Sequence, residues 1–83
     1  MALIRLEAGG ARIEVWEVDH GPPHCHVTGL EKAGNVVVDL ITLRVTRPHG
    51  LALPPVVARC IRRHQAELLE AWDRVISYPE KKE

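Results

Sequence analysis

The sequence predicts an α+β fold: an antiparallel four-stranded sheet, in the order β-β-β-β-α, with one C-terminal helix packed on one face. Three features carry this prediction, namely a self-complementary N-terminal hairpin, two further strand-like runs and a long amphipathic segment at the end. The 83 residues are interpreted as a single domain, 1–83. A domain of this size buries only about 60% of the surface that its unfolded chain exposes, so its core is small.

The first segment, residues 1–18, predicts a β-hairpin that turns at Gly9-Gly10, since glycine tolerates the positive φ of a tight turn. The residue pairs placed opposite each other are then Ala8 and Ala11, Glu7 and Arg12, Leu6 and Ile13, Arg5 and Glu14, and Ile4 and Val15. Apolar pairs share one face and opposite charges share the other, as cross-strand energetics favour.

The middle of the chain predicts a His-rich loop and strand over residues 19–28 and a strand region over residues 34–47. The consecutive prolines Pro22-Pro23 cannot donate hydrogen bonds to a sheet, so the chain around them is expected to be a loop. The β-branched, apolar run from Val36 to Leu43 predicts the fourth strand.

Residues 54–78 predict a helix, which is followed by a charged tail over residues 79–83. Proline is favoured in a first helical turn, and Pro79 is expected to stop the helix. At 100° per residue, one stripe of the helix contains Val57, Ile61, His64, Leu68, Trp72 and Val75. This stripe is expected to pack on the sheet.

Composition narrows the functional classes. Eleven basic and eleven acidic residues give a formal charge of zero, which argues against the broad basic footprint of a non-specific nucleic-acid binder, although a local patch stays open. No apolar run approaches the roughly 20 residues of a membrane span, and no secretory leader is indicated. We therefore expect a cytoplasmic protein without membrane association, with Cys25 and Cys60 as free thiols.

The richest motif runs from Asp19 to Val27 and holds three of the five histidines. His24 and His26 are two residues apart, so on a strand they face the same side and could share zinc or another divalent transition metal, or act as acid and base. His20 is the candidate third metal ligand. His64, on the helix stripe, is the candidate that would complete a catalytic set with His24 and His26. A purely structural role, with imidazoles bonded to loop carbonyls, is the alternative.

A basic group surrounds the start of the predicted helix: Arg44, Arg47 and His49 precede it, and Arg59, Arg62 and Arg63 lie in its first half, before the acidic residues of its second half. This polarity opposes the helix dipole, which favours anions near the N-terminus. These arginines and Trp16, on the charged face of the hairpin, are candidate contacts for a partner or for phosphate. An ordinary solvated face is the alternative.

The chain resembles the small bacterial proteins of domain-of-unknown-function family 4160. The resemblance rests on Asp19-His20-x-Pro22-Pro23-His24-x-His26-Val27, on His49-Gly50-Leu51, and on the ending from His64 to Trp72. It implies a compact α+β domain. Members are often encoded beside a second small protein, which implies a component of a toxin–antitoxin-like pair.

The resemblance and the histidine motif lead to two candidate functions. The first is a cytoplasmic component of such a pair that acts by binding a protein partner encoded nearby, with a homodimer through an uncovered edge strand also open. The second is a small His-based or metal-dependent nuclease or hydrolase that uses His24 and His26. The sequence leaves open whether the protein is an enzyme, and a nucleic-acid partner is not indicated by net charge.

Overall fold

The computed structural model of this protein describes residues 2–30 and 33–77, so the predicted tail lies outside the described residues. Over these residues the chain has seven strands and two helices. In chain order they are β1 Ala2–Ala8, β2 Ala11–Trp16, β3 Val18–Asp19, β4 His24–Thr28, β5 Val36–Asp39, β6 Val45–Arg47, α1 Pro55–Arg63, α2 Gln65–Trp72 and β7 Ile76–Ser77. No helix in this described part is long and apolar enough to cross a bilayer.

The N-terminal hairpin is confirmed. Strands β1 and β2 pair antiparallel in the predicted register, with Ala8 opposite Ala11, Arg5 opposite Glu14, and the intervening pairs as expected. Gly9 and Gly10 form the turn with φ values of 57° and 83°, a region that side chains other than glycine rarely adopt.

The sheet is antiparallel as predicted, but over the described residues it has five strands, in the order β1-β2-β4-β5-β6. The predicted strand region 34–47 is two strands, because the chain turns after Asp39. The Asp39 carboxylate Oδ1 accepts hydrogen bonds from the backbone N–H groups of Ile41 (2.7 Å) and Thr42 (2.8 Å). Such a side-chain-to-backbone turn competes with the strand ladder, and it ends β5 inside a β-branched run.

A second, smaller sheet joins the segment after β2 to the C-terminal end of the described chain. Strand β3 pairs in parallel with β7, with Val18 beside Ile76 and Asp19 beside Ser77. The prediction of a helix through residue 78 is therefore wrong, since α2 ends at Trp72 and the chain returns to the sheet side.

The prediction of one continuous C-terminal helix is also wrong, because the chain breaks at His64, with φ −107° and ψ 19°. The His64 ring Nδ1 lies 3.0 Å from the Cys60 carbonyl oxygen, which also accepts the His64 backbone N–H. A side chain that competes for a helix carbonyl is a recognised cause of a kink. The break places Arg62 and Arg63 in the last turn of α1 and Glu67 in the first turn of α2. For these residues the predicted conflict with the helix dipole is wrong, because each charge lies at the helix end that favours it.

The core lies between the two helices and one face of the larger sheet. Its fully buried members are Ala11, Ile13, Val15, Cys25, Val27, Val36, Val38, Leu40, Val57, Ile61, Leu68 and Ala71. Successive side chains of a strand point to opposite faces, so Cys25 and Val27 of β4 enter the core while His24 and His26 point the other way.

The turn after β5 provides a matched test of core packing. Leu40 is fully buried, whereas its neighbour Ile41 is 60% exposed. Leu40→Ala is expected to lower the free energy of unfolding by about 2–5 kcal/mol through lost burial and a residual cavity. Ile41→Ala should change it by less than about 0.5 kcal/mol. Urea unfolding followed by circular dichroism measures both, and equal losses would contradict this assignment of the core.

Candidate metal centre

The polar face of β4 meets the end of β3 at one cluster of side chains. Strand β3 supplies Asp19, β4 supplies His24 and His26, and the loop between them contains Gly21 (φ 93°) and two prolines. Asp19 is held by its backbone pairing with β7, and its Oδ1 accepts the backbone N–H of His20 at 2.9 Å. The loop thereby returns the chain so that Asp19 faces both histidines.

The three side chains converge through one oxygen. Asp19 Oδ2 lies 3.0 Å from Nε2 of His24 and 3.0 Å from Nε2 of His26. One donor atom from each residue lies within 4.8 Å of the other two. The His26 side chain is only 7% exposed, and those of His24 and Asp19 are each 14% exposed. The three side chains are thus mostly withdrawn from water, and electrostatic interactions are stronger in such a site than in bulk water.

The other ring nitrogen of each histidine faces an oxygen acceptor. His24 Nδ1 lies 2.9 Å from the Pro22 carbonyl oxygen, and His26 Nδ1 lies 3.2 Å from Asn35 Oδ1. Each Nδ1–H therefore donates, which fixes the ring and directs Nε2 toward Asp19. Histidines that bind metals are held in this way, with the second nitrogen donating to a carbonyl or carboxylate.

These bonds make the centre of the cluster a site for positive charge. If each Nδ1 carries the proton of a neutral imidazole, each Nε2 presents a lone pair to a carboxylate oxygen at 3.0 Å. That arrangement is repulsive unless each Nε2 also carries a proton or one cation lies among the three atoms. The geometry thus fits either a pair of imidazolium ions on Asp19 or a bound metal ion.

Both tryptophans of the chain brace the imidazoles. The Trp16 ring stacks on His26 with centroids 3.5 Å apart and planes 6° apart, and the Trp72 ring lies 4.9 Å from that of His24. Trp16 is itself held, because its indole N–H donates to Glu14 Oε1 at 3.1 Å. Trp16, a predicted contact residue, is therefore half-buried and packs against the cluster.

The segment that contains this cluster lies within a region that matches a known protein family. The sequence profile of the domain of unknown function DUF4160 matches residues 10–73, which include the whole His-rich segment and both helices. The chain belongs to the DUF4160 family. No curated protein and no solved structure matches the chain.

In this DUF4160 domain the predicted metal ligands are only partly brought together. His24 and His26 meet as the i, i+2 spacing indicated, but the exposed His20 is not among the three clustered side chains of the described residues. The third member is Asp19, which the sequence analysis did not propose as a ligand. The signal in the sequence was an acidic residue at the start of the loop that leads into the strand of the two histidines.

The predicted catalytic residue His64 lies elsewhere in the DUF4160 fold. Its Nε2 is 3.7 Å from Glu67 Oε1, and it lines a depression of about 310 Å³ together with Arg59 and Arg63. Arg62 is exposed on α1, the helix that also carries Arg59 and Arg63. The helix arginines therefore do not line the cleft beside the two clustered histidines.

The nearby thiol takes no part in the cluster. Cys25 lies between the two histidines in sequence, but its side chain is fully buried in the core, and this burial raises its pKa to about 12. Cys25 and Cys60 are both free thiols. A thiol with so high a pKa is a poor nucleophile and a poor metal ligand at neutral pH.

The cluster opens onto a cleft of about 450 Å³. Asp19 and His24 of the cluster line this cleft, and the other described lining residues are His20, Gly21, Pro22, Val37, Asp39, Thr46 and Arg47. A cleft of this size lies within the range of pockets for small molecules.

Opposing influences act on the Asp19 carboxyl. Partial burial by itself would raise its pKa, but hydrogen bonds from His26 and the His20 backbone N–H, together with charge on the imidazoles, outweigh burial and lower the pKa from 3.8. The folded state therefore binds this proton more weakly than the unfolded chain does. The stability that Asp19 contributes is complete above pH 3.8 and is lost as pH falls through the lower, folded-state value.

Asp19→Asn tests this pH dependence. The variant should be less stable than wild type near neutral pH, and the difference should shrink in strong acid, where wild-type Asp19 is itself protonated. Urea unfolding at about pH 7 and about pH 3 measures the two differences. Asp73→Asn, at the exposed C-terminal end of α2 and outside the cluster, is the control for the loss of one carboxylate. A difference between wild type and Asp19→Asn that does not change with pH would contradict the assigned role of the carboxylate.

Proposed function

We propose that this DUF4160 domain binds one divalent transition metal, best matched by zinc, through Asp19, His24 and His26, and that it uses this metal in hydrolysis. The observation that carries the proposal is the convergence of Asp19 Oδ2 on two Nε2 atoms whose Nδ1 partners are already fixed. Two imidazoles and one carboxylate form a recurrent ligand set of catalytic zinc, which keeps its fourth position for water or substrate.

The distances suit a small ion. Zinc lies about 2.0–2.2 Å from nitrogen and oxygen ligands, so two ligands at a tetrahedral angle are roughly 3.4 Å apart. The two N–O separations in the cluster are 3.0 Å and the Nε2 atoms lie within 4.8 Å of each other, so admitting the ion requires each N–O pair to open by about 0.4 Å and the two imidazoles to reach the same spacing of about 3.4 Å. Magnesium and calcium prefer sites built from oxygen, which disfavours them here.

The chemistry proposed for the open position is activation of water. A zinc ion lowers the pKa of its bound water to about 7 and so supplies hydroxide near neutral pH. Asp19 and His24 line the cleft, so a substrate in the cleft would lie beside the metal. The deeply buried His26 would serve as a positioning ligand, held by Trp16 and Asn35.

Zinc titration of the purified protein tests the proposal. At about 100 times its Kd, zinc should raise the free energy of unfolding by about 2.7 kcal/mol, which corresponds to a rise in Tm of roughly 10–20 °C for a small domain. Calorimetry should give one zinc per chain. The fluorescence of the two tryptophans should change with it, because both rings contact coordinating imidazoles. Zinc-loaded protein should also hydrolyse p-nitrophenyl acetate.

Single substitutions separate this cluster from the other histidines. His24→Ala, His26→Ala and Asp19→Asn should each abolish the zinc-dependent rise in Tm and the ester hydrolysis. His49→Ala and His64→Ala are controls outside the cluster and should keep both. Circular dichroism in the presence of a chelator checks that each variant is folded. Unchanged zinc binding in folded His24→Ala and His26→Ala proteins would refute the proposed ligand set.

A second candidate function is the binding of a protein partner, as a component of a toxin–antitoxin-like pair. Two observations favour it. Strands β1 and β6 are the outer strands of the larger sheet, and within the described residues neither pairs with a strand on its outer side. Ile41 (60% exposed) and Val56 (43% exposed) also present apolar surface. An open strand edge can accept a strand from a partner or from a second copy of the chain.

Co-expression with the product of the adjacent gene tests this candidate. The two proteins should co-purify, and Ile41→Asp or Val56→Asp should weaken the complex by placing a charge in an apolar contact. Ala52→Asp, at another exposed position, is the control. Failure of the two wild-type proteins to co-purify would count against partner binding and would leave the zinc proposal untouched.

A further inference from the structure

We infer that the cleft beside the Asp19-His24-His26 cluster takes a phosphodiester, whose phosphate is held by Arg47 while the metal-bound water attacks it. This inference rests on the proposed metal-dependent hydrolysis. It adds the chemical class of the substrate and assigns its recognition to a residue of β6.

The sheet register brings Arg47 to the site. Across the larger sheet, His26 of β4 lies opposite Val37 of β5, and Val37 lies opposite Arg47 of β6. Opposed residues of antiparallel strands project to the same face. Arg47 therefore lies on the face that carries His26, two strands away, and lines the same cleft as Asp19 and His24.

Arg47 is the one lysine or arginine among the described residues that line this cleft. It is exposed, and within residues 2–30 and 33–77 it forms no ion pair with a carboxylate. The guanidinium fork matches phosphate oxygens geometrically and presents two parallel donors to them. Thr46, its neighbour in the cleft, already directs its hydroxyl to the Val37 carbonyl oxygen at 3.4 Å.

The balance of charge favours a singly charged anion. With neutral histidine ligands, the two charges of the metal ion and that of Arg47 exceed the carboxylates of Asp19 and Asp39 by one. Asp39 also has Oδ1 engaged by two backbone N–H groups of its turn. A phosphodiester carries one negative charge, whereas a phosphomonoester dianion would exceed the positive charge available.

The helix arginines are not alternatives for this role. Arg59 and Arg63 line the separate depression near His64, and Arg62 and Arg63 complement the C-terminal end of α1. Arg47 belongs to the basic group that the sequence offers as candidate contacts for a partner or for phosphate, and in this inference Arg47, rather than the arginines of α1, contacts the phosphate.

The reaction is the hydrolysis of one P–O ester bond. A metal ion held by Asp19, His24 and His26 would activate a water molecule, whose oxygen would form the new bond to phosphorus while the bond from phosphorus to the leaving oxygen breaks with its electron pair. One proton of the water would go to the leaving oxygen and the other to solvent. One diester monoanion and one water would thus give one monoester dianion, one alcohol and one proton, with no change of oxidation state.

The test uses three substrates on the zinc-loaded protein: bis(p-nitrophenyl) phosphate, p-nitrophenyl acetate and, as a monoester, p-nitrophenyl phosphate. All three release p-nitrophenol, and the first two are compared directly because the acetate carries no phosphate for Arg47. The ratio of kcat/KM for the diester to that for the acetate should fall about tenfold or more in Arg47→Ala, since a charge-assisted contact is lost. Arg47→Lys, which keeps the charge but not the fork, should recover part of the ratio.

Arg44→Ala is the matched control, because Arg44 is exposed close to β6 but does not line the cleft. Its ratio should stay within about twofold of wild type. Three outcomes would each overturn the phosphodiester inference while leaving the hydrolytic function in place. The protein could hydrolyse the acetate but not the diester, or cleave p-nitrophenyl phosphate faster than the diester. The ratio of kcat/KM for the diester to that for the acetate could also be equal in Arg47→Ala and Arg44→Ala. Zinc binding without hydrolysis of any of the three substrates would instead overturn the proposed hydrolytic function on which it rests.

Discussion

The arrangement of the polar side of this domain depends on one contact, the approach of Asp19 Oδ2 to the Nε2 atoms of His24 and His26 at 3.0 Å. Because both Nδ1 atoms donate to oxygen acceptors, the three facing atoms need positive charge between them, from protons or from a metal ion. The tryptophans, the Pro-Pro loop and Asn35 all act to hold this geometry. The cleft acquires its proposed chemistry from the same contact.

Strand β4 divides the molecule into a packing side and a chemical side. Cys25 and Val27 lie fully buried in the core, while the alternating residues His24 and His26 point to the opposite face and form the cluster with Asp19. The two-residue period of a strand makes both assignments depend on one register, since a slip of one residue would exchange the faces. The β4 register that buries Cys25 and Val27 in the core therefore also places His24 and His26 toward Asp19.

The N-terminal hairpin could be predicted because its information is local: a Gly-Gly turn and complementary pairs fix both the turn and the register. The split of the fourth strand and the break of the helix could not be read from periodicity. In each case one side chain competes with regular backbone hydrogen bonding, Asp39 for the N–H groups after β5 and His64 for the Cys60 carbonyl. The periodicity of apolar residues indicates which face of an element is buried, but it does not indicate hydrogen bonds from a side chain to the backbone.

The sequence by itself determined that His24 and His26 share a face, because residues i and i+2 of a strand must do so. It also determined the hairpin and the family to which the chain belongs. Only the tertiary structure decided that Asp19, rather than His20 or His64, completes the cluster, and that Arg47 borders it. Asp19 is positioned by pairing with residue 77, far along the chain, and Arg47 by register across three strands. Contacts between such distant segments are set by packing of the whole domain, which no local spacing encodes.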